Sequence, residues 1–134
     1  MGRLLSDGCD PAQLSPLTLA FVGDGVFDLM VRERLVCNAN APVNSLNSQK
    51  VSAVRCQSQA KIIKDLMDEL TEEELAVFKR GRNARTNSAP KNASLSDYHM
   101  ATGLEALWGY LYLKGDTDRL LELFEKSQVL EKKE

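Results

Sequence analysis

The stretch Ser15-Pro16-Leu17-Thr18-Leu19-Ala20-Phe21-Val22-Gly23-Asp24-Gly25-Val26-Phe27-Asp28-Leu29-Met30-Val31 decides the fold class. A serine followed by proline is a strong helix start, with a hydroxyl for the cap and a fixed φ at the first helical position. The helix is predicted to run to about Val36. Leu17, Ala20, Phe21, Asp24, Asp28, Val31 and Leu35 then share one face, and Val22, Val26, Leu29 and Met30 share another. A helix that is apolar on most sides belongs at the centre of a structure.

Outward from this helix the periodicity stays helical. No segment alternates with period two, so the chain is predicted to be an all-α helical bundle. Residues 1–14 form a loosely held lead-in with room for one helical turn. After a loop around Pro42, a long helix is expected from Ser45 to Leu70, with Ile63, Leu66, Met67 and Leu70 as its stripe. Thr71 and Glu74 make a capping box. They open a short helix that carries Leu75 and Phe78 inward and that Gly81 is expected to end or bend. Residues 82–94 are rich in Asn, Ser, Ala and Pro and read as a loop. A helix from Ser96 to Lys114 stops at Gly115, and a last helix spans Thr117 to Leu130. The tail 131–134 is expected to fray. At 134 residues the chain makes one domain.

Composition removes several function classes. Hydrophobic residues are 43% and charged residues 27%, as in an ordinary globular protein. No apolar run reaches the roughly 20 residues of a membrane span, and no secretory leader is expected. The three cysteines (Cys9, Cys37, Cys56) show no CxxC spacing, so neither a disulfide framework nor a zinc site is indicated, and they are expected as small buried hydrophobes. A reducing cytoplasm fits this pattern. With the single histidine His99, a triad hydrolase or a histidine metal site is nearly excluded. His99 is expected to be structural or exposed. Trp108 and Tyr112 are expected in the core or at a subunit interface.

Two acids remain in apolar positions: Asp24 on the first long helix and Glu105 on the helix 96–114. A lone buried carboxylate is costly. The cost falls when two carboxylates face each other across a hard divalent ion, which keeps part of its water shell and can make a bound water nucleophilic. The alternative is a boundary acid paired with Arg32 or Arg34. Gly23 and Gly25 flank Asp24, each at roughly 1 kcal/mol of helix propensity. They mean either close approach of a ligand or tight helix–helix packing.

Net charge is −2, but residues 77–96 contain five cations (Lys79, Arg80, Arg82, Arg85, Lys91) and no acid. A local patch of this kind, with Asn83 and Asn92 as extra donors, suits a polyanion. A solvated positive surface is the alternative.

At this point the residues resemble a known family. Leu19-Ala20-Phe21-Val22-Gly23-Asp24-Gly25-Val26 resembles the signature helix of the ribonuclease III family. Glu105-Ala106-Leu107-Trp108-Gly109-Tyr110-Leu111-Tyr112 resembles its second motif. Leu14-Ser15-Pro16-Leu17, Val31-Arg32-Glu33-Arg34-Leu35, Lys79-Arg80-Gly81-Arg82-Asn83-Ala84 and Pro90-Lys91-Asn92-Ala93 are similar to the short Mini-ribonuclease III subgroup, which has no double-stranded-RNA-binding domain. The resemblance spans about residues 14–125. It implies the ribonuclease III endonuclease-domain fold, working as a homodimer with the RNA duplex across the joint valley. It also implies a bacterial, cytoplasmic, Mg²⁺-dependent endoribonuclease, with Mn²⁺ as a possible substitute and no nucleotide cofactor. The implied substrate is double-stranded RNA, in particular the precursor of the large-subunit (23S) ribosomal RNA. On this reading Asp24 and Glu105 are both catalytic and metal ligands. Lys79, Arg80, Arg82, Asn83, Arg85, Lys91 and Asn92 hold RNA.

The full-length family carries two further acids per site, where this chain has Ala20 and Thr102. One tightly held Mg²⁺ is therefore favoured over two, and Asp28, one turn beyond Asp24, is a weak candidate for an outer acid. The departure also motivates a rival reading, a non-cleaving ribosomal-RNA-binding assembly factor of the same fold. A plain helical interaction module without RNA is a third.

Overall fold

A computed structural model describes residues 2–84 and 94–127. It contains helices α1 (Pro16–Asn38), α2 (Val43–Val54), α3 (Cys56–Leu66), α4 (Glu72–Arg82), α5 (Leu95–Lys114) and α6 (Thr117–Ser127). Short 3₁₀ turns cover Pro11–Gln13 and Met67–Glu69, and there is no strand among the described residues. The all-α expectation holds. The tail 131–134 and part of the loop 82–94 lie outside the described residues, as does the last turn expected of α6.

The helix starts follow from their caps. The Ser15 hydroxyl accepts from the Thr18 backbone N–H with Pro16 behind it, and the Ser94 hydroxyl accepts from that of Asp97. Both halves of the Thr71–Glu74 capping box are present. Gly115, at φ 84°, ends α5 in the left-handed region that glycine occupies without strain.

Helix α5 is the central element, with α1, α3, α4 and α6 around it. It buries Leu104, Leu107, Trp108 and Leu111 against Phe27, Val31 and Leu35 of α1, Ile62, Ile63 and Leu66 of α3, Phe78 of α4, and Leu123 and Phe124 of α6. Phe27 stacks on Trp108 at 5.7 Å between centroids and meets Phe124 edge-on at 6.0 Å. Trp108 is thus a core residue. Arg119 of α6 ties the far side down with a two-point ion pair to Glu74 (2.8 and 2.9 Å). Burial works to raise the Glu74 carboxyl, but hydrogen bonds from Arg119 and Thr71 outweigh it and hold the group below its usual range.

Several expectations are corrected. The long helix 45–70 is two helices, α2 and α3, broken at Arg55 (φ −65°, ψ 159°). Neither proline nor glycine marks the break. Two side chains from the first turn of α3 replace the helix's own hydrogen bonds: Ser58 Oγ donates to the Ser52 carbonyl (2.7 Å), and Gln59 Nε2 donates to that of Val54 (2.8 Å). Gly81 does not end α4. It is buried against α5, where an added Cβ would lie 2.9 Å from Gly103 Cα and 2.8 Å from Ala106 Cβ. On α1 the buried face is Leu19, Ala20, Gly23, Phe27, Val31 and Leu35, whereas Phe21 is 82% exposed. The cysteines are not buried hydrophobes, because Cys9 and Cys37 are exposed and Cys56 is half-buried.

Candidate active site

The site forms where α1 crosses α5. A Cβ on Gly23 would sit 1.7 Å from the Glu105 carbonyl oxygen, and one on Gly109 would sit 2.0 Å from that of Leu19. Only two glycines let these backbones touch. Of the two meanings left open for Gly23, helix–helix contact is the one observed. The contact has a chemical result, because it sets Asp24, the next residue of α1, beside the Glu105 side chain of α5.

Asp24 is exposed and Glu105 half-buried. Burial first, then the negative charge of Asp24 and a hydrogen bond between the two side chains, push the Glu105 carboxyl up to about 8. With no cation present, the Glu105 carboxyl therefore keeps its proton at neutral pH. A hard divalent ion can take that proton's place. Two oxygen-bearing acids, one reached from solvent and one from the protein interior, fit such an ion. Among the described residues no group of three His, Cys, Asp or Glu side chains converges.

The positions where acids are missing are dry. Ala20 packs with Leu19, Val77 and Ala106 in a small apolar cluster. Thr102 is 5% exposed and its hydroxyl donates to the Tyr98 carbonyl of its own helix (2.9 Å). The weak outer-acid role for Asp28 is not supported, since its carboxylate is taken by Arg32 (2.5 Å) and Lys50 (3.5 Å).

The structure adds a residue that the sequence reading missed. Gln59, 2% exposed on α3, donates from Nε2 to Glu105 Oε2 at 3.4 Å. It lies on the same face as Ile62, Ile63 and Leu66, so the test that singled out Glu105, a polar residue in an apolar stripe, also applied to it. Cys56, one turn earlier, has its thiol raised by burial and by the Glu105 charge.

The basic segment is reached through α4. Gly81 seats that helix on α5 at Thr102, Gly103 and Ala106, level with Glu105 along the axis. Lys79 and Arg80 are exposed and make no salt bridge among the described residues. Arg82 lies over the Phe78 ring at 5.6 Å and donates from Nε to Asn83 Oδ1 (3.1 Å). Arg85, Lys91 and Asn92 lie outside the described residues.

This arrangement is not isolated. A model of the Ribonuclease III domain matches residues 17–116. The Mini-ribonuclease 3 of Thermoanaerobacter sp. (strain X514) is 46% identical over 119 residues, covering 88% of this chain and 84% of that protein. The chain belongs to the Mini-ribonuclease 3 family. The family member of Symbiobacterium thermophilum is 45% identical over 116 residues, 87% of this chain and 89% of that protein. An X-ray structure of a Fusobacterium nucleatum protein superposes with a TM-score of 0.80 at 27% identity, covering 88% of this chain and 91% of that chain. As a Mini-ribonuclease 3 relative with the ribonuclease III fold, the chain is an endoribonuclease. No helix among the described residues is long and apolar enough to cross a membrane.

Proposed function

We propose that this chain cuts double-stranded RNA with a single divalent cation, Mg²⁺ or in its place Mn²⁺, held between Asp24 and Glu105. The observation that carries this reading is the direct contact of those two carboxyls across the glycine crossing. The ion, when bound, would polarise the phosphodiester and make water a better nucleophile. Asp24, on the open side, orients water and substrate, and Glu105 anchors from the interior. The apolar surroundings of Ala20 and the inward-turned Thr102 hydroxyl favour one ion over two, since neither position offers an anionic ligand. Lys79, Arg80, Arg82 and Asn83, continued by Arg85, Lys91 and Asn92, hold the backbone of the duplex, so binding weakens as salt rises.

A homodimer is part of the reading. Gly25 has open space beside it and lies in an apolar groove of about 530 Å³ formed by Val22, Val26 and Leu29 of α1 with Tyr112 of α5 and Leu121 of α6. Leu29 and Leu121 are 53% and 51% exposed. A second copy covering this face sets two sites on one valley. The substrate we assign is the precursor of large-subunit ribosomal RNA in the bacterial cytoplasm, in line with the subgroup the sequence resembles.

The test is duplex RNA incubated with and without Mg²⁺, followed by end mapping. Wild-type protein is expected to leave 5′-phosphate ends only with the metal. Asp24→Asn is expected to lose at least about a thousandfold in rate, as removal of several kcal/mol of charge stabilisation demands. Undiminished cutting by Asp24→Asn would remove that residue from the mechanism.

A further inference from the structure

We propose that Gln59 is the positioning residue of this site: its amide fixes the Glu105 carboxylate and ties it to the joint between α2 and α3. The inference rests on the reading of Asp24 and Glu105 as the cation's ligands.

Both amide hydrogens of Gln59 are committed. One goes to the Val54 carbonyl at the end of α2 (2.8 Å), the other to Glu105 Oε2 (3.4 Å). The first bond is short and fixes which way the amide faces, because a flipped amide would set its oxygen against two acceptors. The second is long, as hydrogen bonds to reacting groups commonly are before ligands bind. The remaining atom, Oε1, is buried without a hydrogen-bond partner. An unpaired buried acceptor costs about 1–3 kcal/mol. A methionine of similar length would remove that unpaired acceptor, at the loss of the hydrogen bond to Val54. The Val54 bond accounts for one amide hydrogen at the joint of α2 and α3; the other is aimed at Glu105, which the joint does not require and a ligand-positioning role explains. Partners that orient a ligating carboxylate typically govern metal affinity without touching the ion.

The experiment compares wild type with Gln59→Met. Mn²⁺ binding to the RNA-free protein is read by calorimetry, the thermal midpoint by circular dichroism, and kcat and KM on duplex RNA at low and high Mn²⁺. Gln59→Met is expected to bind Mn²⁺ about 10–100-fold more weakly. Its midpoint should stay within a few degrees of wild type, its KM for RNA should be unaltered, and its kcat should recover as Mn²⁺ is raised. Wild-type Mn²⁺ affinity in a folded Gln59→Met protein overturns the role of Gln59 and leaves the ligand pair standing. If the variant does not fold, the wild-type protein decides: the Gln59 side-chain amide resonances are expected to shift on titration with Mg²⁺, and amide signals unmoved at saturation overturn the proposal. Wild-type protein that binds no Mn²⁺ at all overturns both this inference and the metal reading beneath it.

Discussion

Gly23 and Gly25 stand two residues apart on the same helix, either side of Asp24, and do opposite things. Gly23 is pressed against the backbone of α5, where even one methyl group would collide with a carbonyl oxygen. A Cβ on Gly25 would meet no other part of the molecule within 4 Å, and the residue opens onto an apolar groove. From the sequence they make one symmetrical motif. In the structure one glycine assembles the site inside the subunit and the other leaves room outside it. Asp24 lies on the boundary, where an acid with the proposed role would reach both an interior partner and an external substrate.

The comparison can be broken most severely at Gly23. Replacement by alanine puts a Cβ 1.7 Å from a main-chain oxygen that cannot swing aside. The α1–α5 crossing must open, and we expect a loss of about 3 kcal/mol or more, within the range of severe core overpacking, together with loss of cutting. A wild-type thermal melt for Gly23→Ala would mean that the two backbones are not in contact.

A smaller effect is expected at Gly25. Gly25→Leu should fold with an unchanged far-ultraviolet spectrum, because the added side chain enters open space. It should associate less well if a second copy covers the groove. Sedimentation at micromolar concentration is expected to show a shift from dimer to monomer with about a tenfold loss in cutting. A Gly25→Leu protein that remains fully dimeric places the subunit contact elsewhere.

The smallest effect sharpens the inner half of the comparison. Glu105 titrates near 8 in the metal-free fold, against about 4.5 in the open chain. The native state therefore holds a proton that the unfolded state releases between these values. The stability linked to this group is complete below about pH 4.5 and is lost as pH rises through about 8. The melting temperature of metal-free protein is expected to fall by at least several degrees between pH 5 and 8. The fall should be absent in Glu105→Gln and reversed by Mg²⁺, whose binding releases the same proton. A flat profile in metal-free wild type would show that Glu105 is neither buried nor faced by Asp24 as described.

Much of this was legible before any coordinates. Ser15, the Thr71–Glu74 box and Gly115 mark helix ends by local chemistry alone, and the structure uses each as read, while Ser94 caps α5 two residues before the expected start. Asp24 and Glu105 stood out because acids in apolar stripes are rare. What failed depended on contacts between distant elements. The break at Arg55 is made by the Ser58 and Gln59 side chains reaching back to α2, which no propensity records. Gly81 looked like a stop signal, but its meaning is the close approach of Gly103 on another helix. Periodicity groups Phe21 with Ala20, Val31 and Leu35, yet it is exposed where they are buried. On a helix apolar around most of its girth, periodicity cannot say which side meets α5.

The two acids are contributed by α1 and α5, and α5 follows α1 by the length of three intervening helices. During synthesis, at roughly 5–20 residues per second, the first helix emerges seconds ahead of the one that completes its site. A half-made chain carries Asp24 with no opposite carboxyl and an uncovered seam at Gly23. On the proposed role of the two acids, a nascent chain stays harmless to the RNA of the ribosome making it until α5 has emerged.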